Sequence, residues 1–295
     1  MSLSFTSALL LLAAALIGLV LVLWWLLVIT EGVYLGRGVV IALYDLYARR
    51  YDRIKQYDPV TESRYLARPI IAALPTRAPL VLDVATGTGR LPLALLAEPD
   101  FQGRIVALDL SRRMLGVAAE KLAPYGERVA LLHHSAERLP FPDGAFDLVT
   151  CLEALEFMPR PRDVLAELMR VVRAGGLLLL TNRQGRDARL MPGHAWPDAT
   201  LERHLRALGA VHVEIHPWQL DYSLAWALKA GHSAVRGARP LEEVWRCPAC
   251  GALELLPVAG GWRCLACEAH VPRASDGVAE AHGVSPKPLT DFPPA

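Results

Sequence analysis

The most hydrophobic part of the chain lies at its N-terminus. Between Met1 and Thr30 there is no Asp, Glu, Lys, Arg or His, and an apolar stretch of 22 residues runs from position 8 to position 29. As a helix rising ~1.5 Å per residue, this stretch would be roughly 33 Å long, enough to cross a hydrocarbon core of about 30 Å. The pattern therefore predicts one membrane-spanning helix within residues 1–30.

The residues next to this stretch predict its orientation. Trp24 and Trp25 lie near its C-terminal end, where indole rings favour the membrane interface. Basic residues follow the stretch and none precedes it; they are Arg37, Arg49, Arg50, Arg53 and Lys55. Positive charge stays on the cytoplasmic side, so we expect a single-pass protein of the cell membrane with the rest of the chain in the cytoplasm. A cleaved signal peptide is disfavoured, because the stretch lacks a basic start, is too long and has no small-x-small site before Glu31.

Short apolar runs alternate with helical segments in the rest of the chain. Residues 31–78 are mostly amphipathic and predict a helical lead-in. The predicted strands are residues 80–84, 105–108, 129–133, 146–151 and 177–181, and the predicted helices are residues 91–96, 112–122 and 162–172. This alternation predicts an α/β domain at residues 79–230, with a parallel sheet covered by helices on both faces.

Composition narrows the classes of partner. The 295 residues include 31 basic and 30 acidic side chains, for a formal net charge of +1. This balance gives no overall attraction to nucleic acid or to acidic lipid. Four of the five cysteines form two CxxC pairs, which indicates a reducing compartment and a metal site rather than a secreted disulfide framework.

A glycine-containing loop follows the first strand of the predicted sheet. The strand reaches Asp83, and Ala85-Thr86-Gly87-Thr88-Gly89 comes after it. Glycines at such a turn let the backbone approach a ligand closely. Asp109 ends the second predicted strand, where a carboxylate can accept both ribose hydroxyls of an adenosine ligand.

Two other nucleotide-binding loops do not fit these residues. A dinucleotide fingerprint starting at Gly87 needs a third glycine where this chain has Pro92. A phosphate-binding P-loop needs Gly-Lys-Ser/Thr where Arg90-Leu91 stands. The site is therefore expected to hold an adenosine without a pyrophosphate.

These segments resemble the class I S-adenosylmethionine-dependent methyltransferases, particularly the branch that includes quinone-ring C-methyltransferases. The resemblance extends from about residue 44 to residue 230 and is carried by residues 81–89, 107–111, 135–141, 146–149 and 170–176 and by Tyr-Asp pairs at 44–45 and 51–52. It implies a Rossmann-like sheet that closes with an antiparallel hairpin of residues 212–216 and 223–229.

The same resemblance implies S-adenosylmethionine as cofactor, bound by loops after the first three strands. The residues at the matching positions are Asp83, Ala85, Thr86, Gly87, Gly89, Asp109, Leu110, Ser135, Ala136 and Glu137. Two positions depart from the family pattern. Ser135 stands where many relatives carry an acidic residue, and Ala174 replaces the usual proline of a turn.

The sequence does not identify a catalytic residue. Methyl transfer mostly requires positioning and exclusion of water, and it needs a base only if the nucleophile carries a proton. Candidates near the expected mouth of the cleft are Glu153, Glu156, His133, His134 and Asn182, and each also has an ordinary structural interpretation. Cys151, on the fourth strand, is expected to be a small buried hydrophobe.

A small metal module is predicted at residues 244–278, after a linker at 231–243. Its ligands would be two CxxC pairs, separated by 13 residues, comprising Cys247, Cys250, Cys264 and Cys267. Each pair can hold one edge of a tetrahedral zinc ion, with iron as the minor alternative. The module resembles the zinc-ribbon activator subunit that partners several methyltransferases. It would need its metal to fold, whereas the methyltransferase core need not unfold with it. Residues 279–295 are Pro-rich and predict a disordered tail.

Three functions are compatible with this organisation. The first is a membrane-anchored enzyme that methylates a membrane-proximal small molecule such as an isoprenoid quinone or a lipid. The second is a protein or RNA methyltransferase that uses the ribbon for recognition, although the balanced charge disfavours nucleic acid. The third is a non-catalytic membrane scaffold.

Overall fold

The computed structural model describes residues 5–285. The α-helices are Phe5–Trp24 (α1), Arg37–Tyr47 (α2), Tyr51–Lys55 (α3), Pro59–Glu62 (α4), Arg68–Ala73 (α5), Arg90–Ala97 (α6), Arg112–Leu122 (α7), Pro161–Val171 (α8), Gly185–Arg189 (α9) and Asp198–Ala207 (α10). The strands are Leu80–Val84 (β1), Arg104–Asp109 (β2), Val129–His133 (β3), Phe146–Cys151 (β4), Val172–Arg183 (β5), Ala210–Trp218 (β6), Tyr222–Lys229 (β7), Leu255–Val258 (β8), Gly261–Cys264 (β9), His270–Pro272 (β10) and Ala279–Glu280 (β11).

Eight strands form the central sheet, in the order β11-β3-β2-β1-β4-β5-β7-β6. The pairs among β1 to β5 are parallel, while β7 runs antiparallel to both β5 and β6. Parallel neighbours require crossovers, and α6, α7 and α8 provide them. The predicted Rossmann-like α/β sheet and its closing hairpin are confirmed.

Apolar helix faces cover this sheet. In α8, Val164, Leu165 and Leu168 are fully or almost fully buried and belong to the same core cluster as Leu82 of β1. In α7, Leu115 is buried in a second cluster with Val81, the neighbouring residue of β1. Because successive strand residues point to opposite faces, β1 is apolar on both sides, as a central parallel strand must be.

The N-terminal helix extends away from this core. It continues beyond α1 as one π-helical turn, Trp25–Ile29, so the helical segment has 25 residues. No residue of α1 is buried. Among the residues that the structure describes, this segment alone is long and apolar enough to cross a membrane.

The C-terminal region adds a strand to the central sheet, which the sequence did not predict. Strands β8, β9 and β10 form a separate antiparallel sheet that carries the cysteine pairs. β11 leaves it and pairs with β3, so that Ala279 lies opposite Leu132 and Glu280 lies opposite His133. The predicted disorder of residues 279–295 is therefore wrong at its start, because Ala279 and Ala281 are each only 1% exposed. The Pro-rich part of that tail, from residue 286, lies outside the described residues.

The segment predicted as a linker at residues 231–243 also packs on the sheet. The amides of Arg236 and Gly237 donate to the two carboxylate oxygens of Asp147, at 2.8 and 2.9 Å. Asp147 is buried and also receives the guanidinium of Arg173 at 2.7 Å. This bridge holds the middle of the segment against the β4–β5 side of the domain.

Candidate active site and candidate metal centre

A pocket lies at the carboxyl ends of the parallel strands. Its walls come from the loops after β1, β2, β3 and β4, and α2 and the segment around α3 cover it. Ligands of open α/β sheets bind at this edge, because loops from neighbouring strands converge there. The sequence-predicted residues that line it are Asp83, Ala85, Thr86, Gly87, Asp109, Leu110, Ser135, Ala136 and Glu137. Gly89 is not among the lining residues and instead precedes the first residue of α6.

The two glycines of the loop after β1 serve different structural purposes. Both have positive φ, +56° at Gly87 and +81° at Gly89. A Cβ on Gly87 would meet no atom within 4 Å, so this position faces open space in the pocket. A Cβ on Gly89 would come within 2.9 Å of Leu122 Cδ1, so this glycine allows α6 and α7 to pack.

Asp109 ties the β2 loop to the glycine loop. One carboxylate oxygen accepts from the amide of Gly87 and the other from the amide of Ser111, each at 2.7 Å. Burial raises the pKa of Asp109 above its ordinary value, and these backbone hydrogen bonds act in the opposite direction. The carboxylate is thus fixed at the pocket wall before any ligand arrives.

Asp83 lies deeper in the same wall. Its Oδ1 accepts a hydrogen bond from the Thr150 hydroxyl at 2.6 Å, and its side chain is buried. Burial raises the pKa of Asp83 from 3.8 to about 6, although the hydrogen bond from Thr150 lowers it. Asp83 therefore changes charge close to neutral pH.

Two non-glycine residues of the pocket wall have left-handed backbone conformations. Ala85 has φ of 57° and Glu153 has φ of 52°. A positive φ is energetically unfavourable for a residue that has a Cβ atom. Residues in such strained conformations are concentrated at ligand-binding sites, where the surrounding structure holds them in place. Here the Glu153 amide donates to the Thr181 hydroxyl at 2.6 Å, which helps to hold the turn after β4.

The two Tyr-Asp pairs belong to the segment that covers the pocket, and the sequence did not predict the contacts of their aspartates. Asp45 accepts from the Ser111 hydroxyl, and Asp52 accepts from Lys121 at 2.6 Å and from the Thr88 hydroxyl. These aspartates fasten the cover to the ligand loops. The tyrosines that line the pocket are Tyr44, Tyr51 and Tyr57. The seven-residue spacing of the Tyr-Asp pairs, about two helical turns, was the available signal for this arrangement.

Two of the catalytic candidates, Glu153 and His134, line the pocket, and the carboxylate of Glu153 is already paired. Lys55 Nζ lies 2.9 Å from one oxygen and Arg90 Nη1 lies 2.6 Å from the other. Burial alone would raise the pKa of Glu153, but Lys55 and Arg90 lower it below its ordinary value. Glu153 is therefore a stable carboxylate and a poor proton acceptor.

Glu156, Asn182 and His133 lie outside the pocket lining. Glu156 is buried and accepts from the Tyr222 hydroxyl at 2.7 Å, and burial raises its pKa. Asn182 donates to the Trp196 carbonyl and to Asp198, which is a structural role. His133 faces the sheet edge, toward Glu280. His134 does line the pocket, and burial lowers its pKa.

Cys151 is fully buried in the core, and burial raises the pKa of its thiol. This agrees with the expectation of a small buried hydrophobe rather than a nucleophile.

The four remaining cysteines converge in the C-terminal module. Their sulfur atoms all lie within 4.8 Å of one another. The Sγ atoms of Cys247 and Cys267 are 3.7 Å apart, and those of Cys250 and Cys264 are 3.6 Å apart. Zn–S bonds of ~2.3 Å in a tetrahedron place the sulfurs roughly 3.8 Å from each other. The donor set therefore fits a zinc ion in chemistry and in spacing.

Comparisons with known proteins agree with the cofactor class that the pocket residues indicate. The family model described as "Methyltransferase domain" matches residues 82–180. The demethylmenaquinone methyltransferase of Clavibacter sepedonicus is 31% identical over 210 residues, which cover 60% of this chain and 84% of that protein. The malonyl-[acyl-carrier protein] O-methyltransferase of Marinomonas sp. is 36% identical over 143 residues, covering 45% and 50% of the two chains.

Solved structures show the same fold. The SAM-dependent methyltransferase of Aquifex aeolicus superposes with a TM-score of 0.50 at 22% identity, covering 63% of this chain and 98% of that one. The [4+2]-cyclase SpnF superposes with a TM-score of 0.54 at 20% identity, covering 65% and 96%. The glycine loop and the carboxylate after β2, together with the match along most of the Clavibacter protein, establish that this chain belongs to the class I S-adenosylmethionine-dependent methyltransferases.

Proposed function

We propose that this methyltransferase is anchored in the membrane by Phe5–Ile29 and methylates a small molecule in or next to the bilayer, such as a quinone or a lipid. The observation that carries this proposal is a small apolar cluster. It joins Val33, just after the anchor, to Val40, Met191 and Phe157. Phe157 also lines the pocket. The apolar cluster therefore connects the pocket wall to the residues that directly follow the proposed membrane helix.

The name of the Clavibacter relative supports the same class of acceptor. A demethylmenaquinone methyltransferase acts, by its name, on a quinone precursor. A polyprenylated quinone is too apolar to leave the bilayer, so its enzyme must work at the membrane surface. A pocket whose wall adjoins a membrane helix satisfies that requirement.

We assign cofactor binding to the residues that the family pattern indicates at the pocket. Asp109 would accept the ribose hydroxyls, Ala85, Thr86, Gly87 and Asp83 would surround the methionine portion, and Leu110, Ser135, Ala136 and Glu137 would border the adenine. Gly89 would contribute through packing. S-adenosylmethionine, when bound, supplies an electrophilic methyl group on a sulfonium.

The chain's own contribution to transfer would be positioning and exclusion of water. Tyr44, Tyr51 and Tyr57 cover the cofactor space, while Asp45 and Asp52 hold this cover closed. Glu153 would not accept a proton, because both of its oxygens are ion-paired. Positioning and desolvation of this kind account for most of the catalysis in a displacement that needs no strong base.

We further propose one structural zinc ion on Cys247, Cys250, Cys264 and Cys267. The close spacing of the sulfurs and the shortness of β8, β9 and β10 support this role, since a small module folds around its metal. The resulting organisation is an anchor at 1–30, a lead-in at 31–78, the methyltransferase domain at 79–230, a connection at 231–243 and the ribbon at 244–278.

The membrane orientation follows from the charges after the anchor. Basic residues 37–55 would keep the catalytic domain in the cytoplasm. Protease added outside intact cells should then leave the catalytic domain uncut, while the same protease should cut it after permeabilisation. Digestion in intact cells would contradict this orientation.

One assay tests the acceptor class. Membranes that contain the full chain are incubated with S-adenosylmethionine carrying a labelled methyl group, and the lipid, protein and RNA fractions are counted. We expect label in the lipid extract, lost in Asp109→Ala because the ribose ligand is gone. Label in the protein or RNA fraction would favour instead the alternative that the ribbon recognises a macromolecule.

A further inference from the structure

A short segment of the catalytic domain is fastened to the base of the anchor. The indole Nε1 of Trp25 donates to the carbonyl of Leu190 at 3.1 Å, and the hydroxyl of Tyr34 donates to the carbonyl of Pro192 at 2.9 Å. The rings of Trp25 and Tyr34 stack, with centroids 5.1 Å apart. Trp25 belongs to the last turn of the apolar helical segment, where an indole sits at the membrane interface. With the helix spanning the membrane as proposed above, residues 185–192 would lie at the depth where it leaves the bilayer.

This segment has one buried side and one exposed side. Met191 is fully buried and packs in the cluster with Val33, Val40 and Phe157. Leu190, its neighbour, is 43% exposed. Burial of an apolar side chain away from water is favourable, so an exposed leucine held next to a membrane helix gains from insertion at the boundary between the lipid headgroups and the acyl chains.

The exposed side also carries positive charge. Arg186 and Arg189 of α9 are both exposed, and neither forms an ion pair with a described residue. The acidic residue of α9, Asp187, lies 3.4 Å from Arg183 and is thereby paired. The outward face of α9 is basic, although the whole chain carries a net charge of only +1. Exposed arginines at the headgroup level attract the phosphates of anionic lipids.

We propose that α9 and Leu190 form a second membrane contact, which binds a bilayer surface containing anionic phospholipids. The proposal rests on the membrane anchoring proposed above. Its consequence is mechanical: Met191 and Phe157 share one cluster, so this contact fixes how the pocket faces the bilayer, which a single flexible tether could not do. The anchor holds the enzyme at the membrane, and α9 sets its tilt.

The test uses the full chain in nanodiscs of phosphatidylcholine alone or with phosphatidylglycerol. Hydrogen–deuterium exchange of residues 185–192 should be several-fold slower with phosphatidylglycerol. The double variant R186E/R189E should lose that difference. A charge-matched control, R263E/R273E, changes two exposed arginines of the C-terminal module and should keep it.

A separate measurement distinguishes the two proposals. Alkaline carbonate should leave the full chain in the membrane pellet if Phe5–Ile29 spans the bilayer. Release of the chain would overturn the anchor and this contact together. Retention of the chain, with equal exchange of residues 185–192 in the two lipid compositions, would overturn the second contact alone, as would slower exchange that persists in R186E/R189E.

Discussion

Glu280 and His133 lie opposite each other on β11 and β3, and Glu280 Oε2 is 2.8 Å from His133 Nδ1. The other ring nitrogen of His133 is 3.2 Å from the carbonyl oxygen of Leu110, and Leu110 lines the cofactor pocket. Arg112, at the start of α7, binds both Glu280 and Asp276. A chain of direct contacts thus runs from the end of the C-terminal module to the cofactor loop after β2.

This chain of contacts gives the first prediction, for Cys264→Ser. Removing one thiolate should release zinc and unfold the module, and β11 should then leave the sheet. We expect cofactor affinity to fall several-fold, because His133 loses the Glu280 carboxylate that orients its ring against the Leu110 carbonyl. This differs from the sequence-based expectation that the core need not unfold with the module. Elemental analysis and calorimetric titration with S-adenosylmethionine measure the two effects.

Two further variants distinguish the effect of losing the zinc ion from the effect of losing the contacts of β11. Cys151→Ala removes a thiol that is buried in the sheet and far from the other four cysteines in sequence, and should leave zinc content unchanged. Glu280→Ala should keep the zinc while weakening cofactor binding, since it breaks only the contacts to His133 and Arg112. Normal cofactor affinity in both Cys264→Ser and Glu280→Ala would contradict the coupling.

The sequence predicted the parts of this fold that depend on local pattern. The bounds of α7 and of β3 agree residue for residue with the predicted helix at 112–122 and strand at 129–133. Both have continuous apolar patterns with clear ends; Ser111, for example, caps α7 through a 3.2 Å hydrogen bond from the Met114 amide. The two-residue strand β11 has no such pattern, because only its partner β3 makes it a strand.

In the candidate site, too, the features with a local sequence pattern were predictable and those that depend on distant residues were not. The loops at Gly87 and Asp109 were predictable, since a tight turn and a strand end leave marks in the sequence. The pairing of Glu153 was not, because its partners come from distant parts of the chain. Lys55 and Arg90 are 98 and 63 residues away from it. Only the folded arrangement shows that this carboxylate is neutralised.

Gly87 offers a test of the cofactor loop with a matched control. Gly87→Ala and Gly209→Ala both introduce a Cβ at positive φ, +56° and +98°, with no atom within 4 Å of the new carbon. Each should lose roughly 1 kcal/mol of folding free energy from backbone strain. Only Gly87→Ala should weaken cofactor binding, by at least tenfold, because its Cβ would occupy pocket space. Equal affinities in the two variants, measured by calorimetry, would refute the placement of the cofactor beside this loop.

The ion pairs around Arg90 should matter for stability as well as for the pocket. Arg90 binds both oxygens of Glu62 at 2.7 and 2.9 Å and also binds Glu153. Arg90→Ala leaves two buried carboxylates without this partner, which typically costs about 3–5 kcal/mol. Arg104→Ala removes only a long contact, 3.9 Å, to the exposed Glu127 and should change stability by less than about 0.5 kcal/mol. Urea unfolding of both variants checks the contrast, and similar losses would contradict it.

Asp83 predicts a specific dependence of stability on pH. The folded protein raises its pKa from 3.8 to about 6, so the folded state binds the proton more tightly than the unfolded chain. The stabilising contribution is complete below pH 3.8 and is lost as the pH rises through 6. Between pH 5 and 7 the wild-type free energy of unfolding should therefore fall by about 1 kcal/mol relative to Asp83→Asn, whose amide does not titrate. Comparing the two proteins removes the titration of groups that do not interact with Asp83. Denaturant unfolding at several pH values measures it, and parallel curves for the two proteins would show that Asp83 does not titrate in this range.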